Sequence, residues 1–299
     1  MEKKKVAAIV LAAAVTVCSA VPAFAGGKVG DIYSDTTQDL QRQYGESYVF
    51  RVNGLFEGDT YTVGNGKVLA TFTQESATTD LGFEKGQPNP NVFTYLYGFR
   101  CVGEGETGVY ITHHGKTMRL FKVKVEAGSR LKAATAHAQK VIQWTVEHPD
   151  PVPEKWDKTT VIDEVVPMCD FAGTENSYLF LLKTNGKKDG YIMETARAGA
   201  VSAESYCLTG RGVVNVMMQQ RFHREITAAD KVVNAGAFNF ILPKDGGFID
   251  LETGKKLTGT AAQLQEKYEK WMAGIDPILR SQTFSYYSQQ TDTHSNKIK

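Results

Sequence analysis

The feature that most constrains this chain is a series of short runs in which apolar and polar residues alternate strictly, cut by glycine-rich turns. In one of them Phe121, Val123 and Val125 alternate with Lys122, Lys124 and Glu126. A period of two places one set on a buried sheet face and the other in water, so the segment is a strand with one wet side. Tyr48, Phe50 and Val52 alternate with Val49 and Arg51 in the same way. Tyr61-Thr62-Val63 runs into the turn Gly64-Asn65-Gly66, and Val68–Phe72, Phe93–Val102, Gly108–Thr112 and Met118–Val125 complete the set. Short strands with such turns over about 100 residues predict a β-sandwich spanning residues 26–127.

Residues 1–25 read as a secretory leader. Lys3, Lys4 and Lys5 form a positive start, Val6–Val17 is an uncharged apolar run, and Ala23-Phe24-Ala25 is a small-x-small cleavage site. The run is short for a bilayer span and Pro22 interrupts its end. Cys18 does not make a lipoprotein signal, because Val17 rather than a small residue precedes it. A mature chain starting at Gly26, secreted and without a transmembrane anchor, is the expectation. Over the whole 299 residues the charge is balanced, 34 basic against 33 acidic. Removing the leader takes three lysines and one glutamate and leaves it balanced. A basic stripe able to neutralise phosphates is therefore not expected, nor is nucleic-acid binding.

Residues 128–273 predict an α+β domain, a helix packed on an antiparallel meander. Ser129 is placed to cap a helix running to Glu147, with Leu131, Ala134, Ala138, Val141, Ile142 and Thr145 on one stripe. His137 sits at the stripe's edge as a structural histidine. Pro149, Pro151 and Pro153 end the helix. Strands follow at Val161–Asp170, Ser177–Thr184, Gly190–Thr195 and Ala200–Leu208, joined by turn chemistry at Gly173–Asn176 and Asn185–Asp189. A further strand is expected over Val232–Leu242, a short one within Gly246–Gly254, and a last helix over Ala261–Met272. Residues 274–299 read as a polar tail.

Two stretches carry resemblances. Tyr97–Thr112 followed by Phe121–Val125, with Tyr61–Asn65 earlier, resembles a bacterial Ig-like domain, which implies a sandwich used as a spacer or adhesive module. Asn176–Gly186 leading to Gly190-Tyr191-Ile192, then Glu204-Ser205-Tyr206 and Gly210, resembles the pro-regions of secreted streptopain-like cysteine peptidases. Ala235–Phe240 and Phe248–Lys255 are similar to later segments of some of these precursors. That resemblance implies an inhibitor or chaperone of a secreted cysteine peptidase. The departure is that fewer than fifty residues follow Gly254, where such a precursor carries its peptidase domain.

Motifs of chemistry are few. Gly103, Gly105 and Gly108 satisfy G-x-G-x-x-G, but β-branched and aromatic residues follow where a dinucleotide site needs a helix. Gly115-Lys116-Thr117 copies the end of a P-loop whose first glycine is replaced by Tyr110. Both read as turns, and no cofactor is expected. His113 and His114 are adjacent in a hairpin, so their side chains should point to opposite faces and not share a metal. Asp163-Glu164 and Asp150 read as solvated charge.

After leader removal three thiols remain, Cys101, Cys169 and Cys207. Cys169 and Cys207 fall on the first and fourth strands of a meander, about 14 Å apart at strand spacing, too far for a disulfide. Cys207 with His223 is the one nucleophile–base pairing to consider, yet Cys207 lies on a strand, where packing is the better reading. No catalytic or metal-binding residue is assigned. The function expected is that of a secreted, non-catalytic binding protein whose partner is a protein or cell-surface glycan; a propeptide-like inhibitor and an architectural spacer of the envelope are the alternatives.

Overall fold

The computed structural model describes residues 26–73, 82–84, 87–89, 93–149 and 156–274. The leader, Asp150, Pro151, Pro153 and residues 275–299 of the polar tail lie outside them; Gly274 ends the last helix. The chain divides into two compact units. The first holds residues up to His137 together with Ala196–Ser202, and the second holds Ala138–Thr195 and everything after Ser202.

Among the described residues up to Val125 the first unit holds β1 (Gly27–Val29), β2 (Ile32–Ser34), β3 (Leu40–Arg42), β4 (Ser47–Leu55), β5 (Thr60–Val63), β6 (Leu69–Thr73), β7 (Gly82–Glu84), β8 (Gln87–Asn89), β9 (Phe93–Cys101), β10 (Gly105–His113) and β11 (Lys116–Val125). They form a five-stranded sheet in the order β1-β2-β4-β9-β6 and a four-stranded sheet in the order β3-β11-β10-β5, with β7 and β8 as a separate hairpin. The alternating residues of both sheets meet in one core. Phe50 and Val52 of β4 and Phe99 of β9 come from one side, Val109, Ile111, Phe121 and Val123 from the other. Phe50 stands edge-on to Phe121 at 5.1 Å, a favoured aromatic geometry. The region is thus a two-sheet sandwich, as the alternation predicts.

The chain passes from the first unit to the second within α1 (Ser129–Glu147), and then follow β12 (Val161–Cys169), β13 (Glu175–Thr184), β14 (Lys187–Arg197), β15 (Ala200–Cys207), α2 (Val213–Phe222), β16 (Val233–Asn234), β17 (Phe240–Lys244), β18 (Gly247–Asp250), β19 (Lys256–Leu257) and α3 (Ala261–Gly274), with the end of β14 and the start of β15 counted in the first unit. The four expected strands are present, and β13 and β14 meet at a two-residue turn in which Asn185 and Gly186 have φ of 52° and 79°. Both central residues being left-handed is the hairpin turn that Asn-Gly favours.

Four features depart from or add to the sequence expectations. The sheet is not a simple four-stranded meander but eight strands in the order β15-β14-β13-β12-β16-β17-β18-β19, with β12 and β16 parallel. The single strand expected at Val232–Leu242 is broken, because Gly236, Ala237 and Phe238 turn left-handed in succession (φ 93°, 46° and 62°). Asn234 Oδ1 accepts the Gly236 N–H at 2.9 Å and holds that corner, a local bond that competes with the ladder. Third, the sequence analysis assigned no element to residues 213–222, where α2 places Val214 and Met218 in the same apolar cluster as Leu179, Leu181 and Met193 of the sheet. Packing on the sheet overrides β-branched propensity there.

The start of α1 is the fourth. Ser129 Oγ donates to the Glu126 carbonyl at 2.6 Å rather than capping the helix. The first-turn N–H of Arg130 is taken instead by Glu104 Oε1 at 2.9 Å. Leu131, placed on the apolar stripe by its spacing, is 37% exposed, whereas Ala134, Ala138 and Ile142 are buried. On the other face of the sheet, Leu264 of α3 clusters with Cys169, Phe171, Val233 and Ile241.

Candidate functional site

A carboxylate–imidazole pair is buried in the sandwich. Asp59 precedes β5 and His113 ends β10, and these strands are neighbours, so the pair bridges 54 residues of sequence across one ladder. His113 Nδ1 lies 2.7 Å from Asp59 Oδ2, and the two side chains are 5% and 8% exposed. Asp59 Oδ2 also accepts the Phe56 N–H at 2.7 Å. Burial pushes the Asp59 carboxyl up, but the Phe56 N–H and the His113 ring outweigh it, and its pKa ends below the usual aspartate value.

The side chains of His113 and His114 do not diverge as strand alternation predicts. His114 has φ 49°, and this left-handed turn brings the rings to 4.1 Å between centroids. Phe56 lies 4.8 Å from the His114 ring. His114 is an exposed turn residue, while His113 is buried, so the hairpin reading holds for one of the two. Sequence reasoning missed Asp59, whose local signal was the Gly58-Asp59 turn. Among the described residues no group of three metal-ligating side chains gathers here or elsewhere.

In the second unit an open groove of about 570 Å³ runs between the C-terminal half of α1 and residues 157–162. Ile142, Val146, Val161 and Ile162 give it an apolar floor; Gln139, Gln143, Glu147, Asp157, Lys158 and Thr160 line the rest. One wall is pinned by hydrogen bonds. Asp157 accepts from the Thr159 N–H at 2.7 Å, the Thr159 hydroxyl at 2.6 Å and Asn185 Nδ2 at 2.7 Å. These bonds, the Thr159 hydroxyl first, hold its pKa below the usual carboxylate value. The Thr160 hydroxyl accepts the Asp157 N–H and lies 2.9 Å from that of Thr184.

Just before this wall, Trp156 is 3% exposed and donates from Nε1 to the Leu208 carbonyl. It fits because Gly190, at φ 87°, has no Cβ: one would stand 2.8 Å from Trp156 Nε1. On the facing helix Gln143 Nε2 donates to Glu147 Oε1 at 2.9 Å. Gln139 and Lys158 make no hydrogen bond or ion pair among the described residues, so an amide and an ammonium remain available beside an apolar floor.

The remaining sequence candidates are placed as follows. Cys101 and Cys169 are buried free thiols; burial pushes their pKa up to about 12 and about 11, which suppresses the thiolate. Cys207 lies on β15, with its sulfur 4.0 Å from the Thr209 hydroxyl and its side chain against the apolar cluster of the sheet. His223 caps α2 in a left-handed conformation, and no hydrogen bond joins it to Cys207.

Cys169 and Cys207 occupy the first and fourth strands in consecutive order, as expected. Asp163 faces Lys183 and Lys188 at 3.8 and 3.6 Å. His137 is half-buried on α1. Gly103 lies in a bend, but Gly105 and Gly108 already belong to β10, and β10 continues where a nucleotide site would need a helix. Gly115 is in the β10–β11 turn, and Lys116 and Thr117 open β11. Among the described residues no helix is long and apolar enough to cross a membrane.

No protein-family model matches the sequence, and no curated protein is significantly similar to it. Among solved structures the chain is similar to a crystal structure of domains 4 and 5 of the S-layer protein SbsC, at 18% identity and a TM-score of 0.23, over 32% of this chain and 51% of that one. Domains 5–6 of the same S-layer protein align at 11% identity and a TM-score of 0.22, over 78% and 95%. A DUF4784 family protein from Bacteroides caccae aligns at 12% identity and 0.18, over 75% and 54%. The chain spans about half the length of the first of these structures. At TM-scores this low the likeness defines neither a shared fold nor a function.

Proposed function

We propose that this is a secreted, non-catalytic recognition protein of the bacterial cell exterior, with an Ig-like sandwich over residues 26–127 and an α+β module over residues 128–273. The leader-like pattern of residues 1–25 supports export. The observation that carries recognition is the groove between α1 and residues 157–162. It combines an apolar floor, a hydrogen-bonded wall and the two uncommitted polar groups of Gln139 and Lys158, the composition of a binding cleft. Its partner is a protein or a cell-surface glycan that offers an apolar surface and hydrogen-bond acceptors. Non-catalytic action is supported by the chemistry of the thiols: two are held protonated and the third packs in an apolar cluster.

The test is co-sedimentation of the purified protein with bacterial cells and wall material, compared with a variant whose groove is filled. Val161 is 52% exposed, so Val161→Arg places a long side chain in the groove without a core cavity. Loss of co-sedimentation in the variant supports the reading. Equal co-sedimentation of both proteins, or none by either, rejects the groove. A second reading, a propeptide-like inhibitor or chaperone of a secreted cysteine peptidase, is favoured by β15 lying at the sheet edge, where it can pair with an extended segment. Saturable 1:1 suppression of turnover on titration into streptopain-like and papain-like peptidases would establish it.

A further inference from the structure

The outward face of the five-stranded sheet combines exposed apolar side chains with cations. With Phe50, Val52, Tyr97 and Phe99 turned into the core, alternation turns Val49 and Arg51 of β4, Gly98 and Arg100 of β9 and Phe72 of β6 outward. Register places Val49, Gly98 and Phe72 in one row across three strands. Gly98 lacks a Cβ, and one added there would collide with the Phe72 ring. The ring therefore lies down across the glycine, the arrangement by which an aromatic covers a strand glycine, and Phe72 remains 37% exposed.

Val49 beside it is 41% exposed, and Tyr33 on β2 is 44% exposed. Arg51 and Arg100 stand one row to either side of this platform, about 7 Å along their strands. Lys28, opposite Tyr33, adds a third cation. No carboxylate occupies an outward position in the rows formed by these strands, and none of the three cations forms an ion pair among the described residues.

We propose that this face binds a linear acidic glycan: a sugar ring stacks on the flat Phe72 ring, and the carboxylates of neighbouring sugars meet Arg51 and Arg100. The charge is complementary, and a guanidinium without an ion pair can take a carboxylate bidentately; Arg100 also donates from Nε to Ser47 Oγ at 3.3 Å, which leaves its terminal nitrogens for that contact. Flatness favours a glycan over a bilayer, because the aromatic side chains lie on a sheet and not on a protruding loop or amphipathic helix that could enter lipid. The inference rests on the recognition reading but uses a different unit, so the groove variant Val161→Arg and the variants below are read separately.

The test is affinity electrophoresis of the purified protein through gels containing polygalacturonate, with dextran as the neutral control. Expected are retardation by polygalacturonate only, and weakening of about tenfold or more in Arg51→Gln/Arg100→Gln, the scale of one lost charge-assisted contact. Phe72→Ser should weaken binding comparably. Arg119→Gln/Lys124→Gln, which removes the same charge from the opposite sheet, should bind within about twofold of the parent protein. Circular dichroism melts establish that each variant is folded, and should an arginine variant misfold, Phe72→Ser decides. The proposal is overturned by absence of retardation, by equal retardation in dextran, by equal loss in the opposite-sheet control, or by tighter binding to polyglutamate or phosphatidylglycerol vesicles than to polygalacturonate.

Discussion

Asp59 and His113 show how much of a local structure depends on one buried contact. The bond closes β5 onto the end of β10 where both side chains are out of water. Replacing His113 with alanine leaves the carboxylate without its ring partner in that setting. Hydrogen bonds to charged groups contribute roughly 1.5–3 kcal/mol, and His113→Ala is expected to lower stability by about 2 kcal/mol in urea titrations at pH 7. The pH dependence follows from the lowered Asp59 pKa. An unfolded chain binds this proton more readily than the folded one, so the contribution is complete above the ordinary aspartate pKa. It is lost as pH falls through the lower, folded value. Asp59→Asn should therefore flatten the acid limb of the stability profile below about pH 4, measured by urea midpoints between pH 2 and 5. Neither residue was identifiable as a partner in sequence, because the 54 residues between them are brought together only by strand pairing.

At the scale of elements, the helix and turn termini divide cleanly by the range of their contacts. The β13–β14 turn was legible because Asn185-Gly186 satisfies its own backbone demand. Asn185→Ala is expected to cost about 1 kcal/mol by thermal melts, since alanine at φ 52° meets the left-handed penalty. This variant also loses the bond to Asp157. The cap of α1 was misread because Glu104 reaches Arg130 from another strand terminus. Glu104→Ala should cost about 1 kcal/mol by removing that cap, whereas a capping hydroxyl at Ser129 would predict no effect from Glu104. The helix α2 escaped the sequence pattern altogether. Its valines carry a strand propensity, and burial of Val214 and Met218 against β13 and β14 outweighs it. Met218→Ala is expected to lower stability by about 2–5 kcal/mol in denaturant titrations, the range for a buried large-to-small change.

At the scale of the whole molecule, burial suppresses the reactivity of the Cys101 and Cys169 thiols. Cys101 and Cys169 are enclosed, and a thiol-reactive chromophore at pH 8 should modify neither in the native state at the rate seen after denaturation; comparable rates would contradict their placement. The β-rich, two-sheet character of residues 26–127 was legible in the sequence alone, because a period of two and Gly/Asn turns are local properties that mark strands, wet faces and hairpins. The same locality determined the consecutive order β12–β15, and with it the separation of Cys169 from Cys207. Tertiary structure alone decided the rest: the parallel joining of β16 to β12, the break at Gly236–Phe238, the Asp59–His113 pair, the groove beside α1 and the ring of Phe72 laid over Gly98. Each of these depends on which distant segments become neighbours, and periodicity within a single strand or helix carries no information about that.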